Sequence, residues 1–260
     1  MKRAREPVVC SIGSVDPTGA AGILMDMRVY AHLGAVGVAV VASVTAQNYR
    51  RVSAIEPLTP SAIEKQLNAV FEQVRPHAIC IGLLPSAAAI DAVARFLRRN
   101  ARQIPVVLDP VIAASSGRRF LDRSAVRALV RLAPLVTIMT PNLREAAALA
   151  GRRVTTLEHA SQVAGVLARL GCAVLVTGGH LSGDACIDVL AQGDRVRHCA
   201  AKRIPGRMRG AGGILAAALA VELGRGAALV RAVAHARQVV RRAHRAARRL
   251  GSGTPQFLAR

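Results

Sequence analysis

The feature that most constrains this chain is an alternation in which short runs of β-branched residues take turns with longer amphipathic stretches. Val8 to Ile12 is followed by Ile23 to Leu33 and then by Val36 to Val44, the rhythm of βαβ units in which a helix returns each strand to the sheet. Further strands are predicted at Ala78 to Leu83, Val106 to Leu108, Val136 to Met139 and Val174 to Val176. Helical patterns separate them at Ser61 to Gln73, Ala87 to Asn100, Ser124 to Leu132 and His159 to Leu170. Strands joined through helices run parallel and are covered on their faces, so a mostly parallel central sheet is expected. Cys186 to Leu190 and Val196 to Cys199, divided by Gly193 and Asp194, read as a hairpin near one sheet edge. From about Gly212 the chain becomes helical. No internal repeat or low-complexity linker interrupts it, and residues 1–260 are expected to form a single α/β domain.

Composition agrees with this architecture and narrows the function. The apolar share of 52% comes mainly from Ala, Val and Leu, with no Trp, two Tyr and four Phe, which predicts an aliphatic, closely packed core. A formal net charge of +21 attracts polyanions. However, only Lys2, Lys65 and Lys202 are lysines, arginine is spread through nearly every predicted helix, and aromatic rings for stacking on bases are almost absent. Adhesion to polyanions at low salt is expected, without specific nucleic-acid binding. Between Arg225 and Arg260 there are nine arginines and no acid, arranged around Leu229, Val233, Val239 and Val240. That pattern describes an amphipathic helix with a solvated arginine face; a helix that docks on a partner is the other reading. The five cysteines are scattered in apolar runs without zinc spacing and read as core residues of a reducing compartment. The start is a poor signal peptide, and no window approaches the roughly 18 uncharged apolar residues of a membrane helix. A cytoplasmic location without membrane attachment is expected.

In parallel α/β sheets ligands bind where strands end and helices begin, because backbone N–H groups and helix dipoles converge there. The segment Asp16 to Gly22, DPTGAAG, follows the first strand with small residues that admit a flat ligand or a phosphate; a tight strand-to-helix turn fits the same spacing. Gln47, in TAQN after the strand ending near Val44, offers an amide donor and acceptor side by side. Those match the ring nitrogen and exocyclic amine of an aminopyrimidine, and a surface turn is the alternative. In TPNLRE, Pro141 ends a strand, Asn142 can cap the next helix and Glu145 stands three residues on. This glutamate either holds Mg²⁺ through water or completes a capping box. Gly178, Gly179 and His180 follow another strand. Gly210, Ala211, Gly212 and Gly213 open the apolar helix Ile214 to Leu223, leaving amides free for the charge on a transferring phosphoryl group.

In this order the segments resemble the hydroxymethylpyrimidine and phosphomethylpyrimidine kinases of thiamine biosynthesis, within the ribokinase superfamily. The resemblance runs from about Val8 to Leu250 and is carried by DPTGAAG, TAQN, VLDPVI at Val107 to Ile112, TPNLREAA at Thr140 to Ala147, GGH, and the GAGG turn leading into LAAALA. It implies a ribokinase-like three-layer α/β/α fold and transfer of the ATP γ-phosphate to the pyrimidine alcohol and then to its monophosphate. By the same resemblance Gln47 contacts the aminopyrimidine, with Ser14, Asp26, Leu83 and Val111 around the same pocket. Asn142 and Glu145 organise Mg²⁺ and the ATP phosphates, and Thr177, Gly178 and Gly179 lie along the nucleotide. The amides of Gly210 to Gly213 form the anion hole, and a homodimer is implied.

Several positions depart from the family pattern. Gly213 stands where the family has a cysteine and wider relatives an aspartate that takes the hydroxyl proton. Ser115 replaces a lysine, Leu83 a methionine, Ser14 a glycine and Arg209 the usual histidine before the anion hole. A general base contributes roughly 10²- to 10⁴-fold, while phosphoryl transfer depends heavily on positioning and charge neutralisation. A slow kinase is therefore expected, with Arg209 either adding charge at the γ-phosphate or standing there by coincidence. The alternatives are a pyrimidine-binding homologue acting as a sensor or partner subunit, and a pyridoxal-type kinase.

Overall fold

The computed structural model describes residues 6–114, 117–179, 181, 183–250 and 254–256. Ser115, His180 and the first and last residues of the chain, Lys2 and Arg260 among them, lie outside the described residues. The expected alternation is realised as β1 (Val8–Val15), α1 (Gly22–His32), β2 (Val36–Gln47), β3 (Val52–Pro57), α2 (Pro60–Gln73), β4 (Ala78–Ile81), α3 (Ala87–Asn100) and β5 (Val106–Leu108). It continues with α4 (Arg123–Leu132), β6 (Ile138–Met139), α5 (Leu143–Ala150), α6 (Leu157–Ala168), β7 (Ala173–Val176), β8 (Ala185–Gln192), β9 (Arg195–Lys202), α7 (Ala211–Gly224) and α8 (Leu229–Arg245).

All nine strands join one sheet in the order β3-β2-β1-β4-β5-β6-β7-β8-β9. The six from β2 to β7 pair in parallel, and antiparallel strands close both edges. Alternate residues of each central strand face opposite layers. Cys10, Ile12, Ile79 and Ile81 pack against α2 to α6, whereas Val9, Cys80 and Val107 pack against α1, α7 and α8. The result is the three-layer α/β/α arrangement that the pattern implied. Helix α7 is buried on every side from Ile214 to Leu223, as an apolar helix pressed between the sheet and its neighbours must be.

Three local expectations are corrected. The strand expected from Val136 begins only at Ile138, because Val136 terminates a 3-10 turn at Ala133–Leu135. Strand β2 extends past Val44 to Gln47, held there by β3, an edge strand whose Ser, Glu and Pro hid it from a hydrophobic pattern. The arginine-rich tail forms a helix only to Arg245, after which Gln256 pairs back with Arg248 and Arg209. In α8, Val233 and Val239 face the core as expected, and Leu229 and Val240 pack at its margin. The hairpin is longer than expected at both ends, with Gly193 at φ +55 in its turn.

Helices α2 to α6 each begin at a residue whose side chain accepts a backbone N–H bond, from Thr59, Ser86, Asp122, Asn142 and Thr156. Helices α1 and α7 have no such cap and start on glycine-rich turns. Both open towards the same end of the sheet.

Candidate active site

Strand β1 is followed by a crossover on the α1 face, whereas the connections from β2 through β7 use the other face. The connections therefore part between β1 and β4, which opens a crevice at the carboxyl ends of these strands. There the structure has an open cleft with about 740 Å³ of empty space, part of it bulk solvent. It brings together Ser14, Asp26, Gln47, Leu83 and Val111 with Arg209 and Gly213, seven residues expected at the site, drawn from β1, α1, β2, the segments after β4 and β5, and the start of α7.

On the β1 wall, Ser14 is bonded to the Ser43 hydroxyl and donates to the Leu83 carbonyl at 3.3 Å. Its side chain is thus turned into the β1–β2–β4 seam. Asp26 of α1 is buried and accepts a 2.9 Å bond from Ser11 Oγ, which alternation along β1 points towards α1. Burial raises the Asp26 pKa to about 7; the Ser11 bond opposes that shift and the charge of Asp109 adds to it. Gln47 Oε1 accepts a 2.9 Å bond from Arg209 Nη2, while Arg209 Nη1 donates to the Asn48 carbonyl at 2.8 Å. The same guanidinium stands 3.6 Å from Asp16 Oδ2, and both side chains are largely shielded, 14% and 3% exposed.

Asp16 shapes the turn between β1 and α1. Its Oδ1 accepts from Thr18 N at 2.9 Å and Thr18 Oγ1 at 2.8 Å, leaving Oδ2 buried without a hydrogen bond. The turn packs directly on the start of α7. Gly210 takes φ +81 as the N-cap residue, and a Cβ there would lie 2.4 Å from the Ala20 carbonyl oxygen, so only glycine fits. A Cβ on Gly212 would lie 3.7 Å from Asp109 Oδ2, and one on Gly213 would meet the Met25 methyl at 2.5 Å. The uncapped amides of α7 therefore open beside Asp109, and the Met25 side chain fills the space that a residue larger than glycine would take.

Asn142, Glu145, Thr177, Gly178 and Gly179 lie outside this cleft, at the adjoining ends of β6 and β7. Asn142 and Thr177 form a bridge, and Thr177 N donates to the Pro141 carbonyl at 2.9 Å. Asn142 Oδ1 accepts from the amides of Arg144 and Glu145 at 2.9 and 3.1 Å, and Glu145 Oε2 accepts from Asn142 N at 2.9 Å. Glu145 thus completes a capping box. It is also buried beside Asp109. Both carboxyls are raised well above the ordinary carboxylate range, chiefly by burial, and Glu145 is raised further by the Asp109 charge. Gly178 N donates to Asp188 Oδ1 at 2.8 Å, and a Cβ on Gly178 would run into the Ile187 carbonyl at 1.7 Å. Gly179 is exposed with open space around it.

Two acids central to this geometry lie within the motifs DPTGAAG and VLDPVI but were assigned no role of their own from the sequence. Asp109 directly follows the wholly apolar strand β5, and Asp16 directly follows β1. An acid at the carboxyl end of a buried parallel strand is the signal that would have found both. Two neighbouring buried carboxyls are, once ionised, a donor set for a hard divalent cation. No cluster of three His, Cys, Asp or Glu able to hold a metal occurs among the described residues. Two carboxyls fit a cation that shares its coordination with phosphate oxygens.

A switch-point cleft between uncapped helix starts, in a three-layer sheet of this order, defines a ribokinase-like phosphotransferase. The phosphomethylpyrimidine kinase family model matches residues 16–257, and the chain belongs to that family. It is 38% identical over 250 residues to the hydroxymethylpyrimidine/phosphomethylpyrimidine kinase of Rhizobium meliloti, covering 95% of this chain and 93% of the relative. The crystal structure of a phosphomethylpyrimidine kinase from Clostridium difficile superposes with a TM-score of 0.81 at 29% identity, covering 92% of this chain and all of the other. An ADP complex of Bacillus subtilis pyridoxal kinase superposes with a TM-score of 0.90 at 26% identity, covering 98% and 97%. No helix among the described residues is long and apolar enough to cross a membrane.

Proposed function

We propose that this cleft binds hydroxymethylpyrimidine or its monophosphate and phosphorylates it with ATP and Mg²⁺. The observation that carries the reading is the convergence of a recognition amide, Gln47, and a buried acid, Asp26, with the open amides of α7 in one crevice. Gln47 presents a donor and an acceptor to the aminopyrimidine edge, and Asp26 accepts from its amine. Leu83 and Val111 supply apolar walls for the ring. The amides from Gly210 to Gly213 receive the charge of the transferring phosphoryl group, at no reorganisation cost because the turn is already formed. The nucleotide runs from there past Asn142 towards Thr177, Gly178 and Gly179, where the exposed backbone of Gly179 allows close approach. Asp109 and Glu145 would hold Mg²⁺ together with the nucleotide phosphates, and the cation supplies charge neutralisation when bound.

Release of ADP from ATP in the presence of hydroxymethylpyrimidine, its phosphate or pyridoxal tests the reading. Turnover with either pyrimidine and not with pyridoxal is expected, and turnover with pyridoxal alone would replace it. A second reading rests on Gly213, which provides no acid or base at the reacting end of the cleft: a homologue that binds the pyrimidine without transferring phosphate. Tight pyrimidine binding without ADP release would select it.

A further inference from the structure

We propose that Asp188, Arg237 and Arg203 are positioning residues for the nucleotide, holding the turn at Gly178 and Gly179 so that the Gly179 N–H faces outward to bind it. This rests on the reading above that the nucleotide reaches this turn, and adds the residues that give the turn its shape. None of the three lines the cleft.

The antiparallel ladder between β7 and β8 ends at the pair Val176 and Val189, and beyond it side chains take over as partners. Gly178 N donates to Asp188 Oδ1 at 2.8 Å, the Gly178 carbonyl accepts from Leu181 N at 3.0 Å, and the Gly179 carbonyl accepts from Arg203 Nη1 at 2.8 Å. Arg203 is itself fixed, because its Nε donates to the Gly183 carbonyl at 2.7 Å and its Nη2 to the carbonyls of Leu181 and Ala185. The carbonyls of one loop thus converge on a planar group that has donors only, which sets the direction of each. Of the backbone polar groups of Gly178 and Gly179, the Gly179 N–H is the one left without a partner among the described residues. It belongs to an exposed residue with open space around it. A donor of fixed direction suits an acceptor, and a nucleotide offers oxygens and ring nitrogens.

The arginine-rich helix α8 supplies the support behind this turn. Arg237 donates through Nε to Asp188 Oδ2 at 2.7 Å and through Nη2 to the Cys199 carbonyl of β9. The two side chains are only 15% and 10% exposed, so this arginine of the basic helix faces the protein and not the solvent. A buried ion pair is a poor way to fasten a helix to a sheet, since apolar side chains of similar volume do so as well or better. What the pair adds is direction. With Oδ2 held by Arg237, the Asp188 carboxylate presents Oδ1 to the Gly178 amide at one place and one angle, as a support for a binding turn must.

Removing one partner of the pair would strand the other charge, so the test uses the full chain with both replaced, Asp188→Leu together with Arg237→Met. This double variant should melt close to the parent. Calorimetry with the non-hydrolysable ATP analogue AMP-PCP and Mg²⁺ should show affinity lower by about 10-fold or more, the scale of one well-aimed hydrogen bond. Affinity for hydroxymethylpyrimidine should be unchanged, and in steady state KM for ATP should rise while KM for the pyrimidine does not. Arg203→Met, which frees the Gly179 carbonyl, should give a loss of the same kind. Arg237→Lys keeps a cationic donor for Asp188 and should retain most of the AMP-PCP affinity. Parent-like AMP-PCP affinity in the folded double variant overturns the positioning role and leaves the kinase reading standing. An equal loss of AMP-PCP and pyrimidine affinity overturns it as well, because the three residues would then support the fold as a whole. If the double variant melts below the assay temperature, Arg203→Met decides by the same two affinities. If the parent chain binds no AMP-PCP, the kinase reading falls and this proposal with it.

Discussion

Gln47 meets Arg209 through its carbonyl oxygen, so its amide nitrogen is the half left free for a ligand, and a pyrimidine that uses both halves has to share the oxygen with the guanidinium. Gln47→Ala is expected to weaken hydroxymethylpyrimidine binding by about 1 to 3 kcal/mol, the cost of an unmade buried hydrogen bond, as read by calorimetry. Unchanged affinity would move the recognition edge elsewhere. Glu145 completes a capping box and is proposed to hold Mg²⁺, and one substitution separates the two. Glutamine keeps an oxygen for the Asn142 amide but removes the buried charge. The folded pKa of Glu145 is raised, so between about pH 5 and pH 8 the native protein binds more protons than the unfolded chain, and stability falls as pH rises through that window. Glu145→Gln should therefore stabilise the ligand-free protein at pH 8 by on the order of 1 to 3 kcal/mol, seen as a higher melting temperature, and change it little at pH 5. The same variant should need more Mg²⁺ to bind ATP. A variant destabilised at both pH values would identify the carboxylate as a cap alone.

At the scale of elements, the helices divide by how they start. Ser86 caps α3 by accepting from Ala89 N at 3.2 Å, away from the cleft, and Ser86→Ala should cost about 0.5 to 2 kcal/mol in denaturant unfolding without altering KM for ATP. Gly210 opens α7 in a left-handed conformation against the Ala20 carbonyl, so Gly210→Ala should combine about 1 to 2 kcal/mol of backbone strain with a clash that displaces the turn. Phosphoryl transfer should then fall far more than the loss of stability explains, as measured by kcat on protein still folded at the assay temperature. If kcat is retained, the amides of this turn are not the anion hole. Helix α7 was legible in its sequence because it is apolar all round and preceded by glycines. Strand β3 was not, since Val52–Pro57 carries Ser, Glu and Pro and becomes a strand only by pairing with β2.

Across the whole molecule, the charge of +21 is carried by surfaces and helix faces, and the aromatic residues that would read bases are missing. Random duplex DNA should bind at low salt and be released by about 0.2 M, with no preference among sequences in an anisotropy titration. A sequence preference surviving that salt would show a nucleic-acid function. Periodicity and turn residues were enough to identify the parallel sheet, most helix boundaries and the glycine-rich starts of α1 and α7, because each depends on neighbours a few residues apart. Gln47, Asp26 and the α7 turn were assigned to one site by the resemblance to a family, which rests on motifs local to each segment. The joining of those segments was beyond local pattern. Asp109 raises the pKa of Glu145, 36 positions on in the chain, because β5 and β6 lie side by side. Arg209 reaches Gln47 across 162 residues because the α7 turn packs on the β1–α1 turn. Charge and hydrogen bonding depend on distance in space, and folding brings together acids and donors whose separation along the chain carries no trace of the contact.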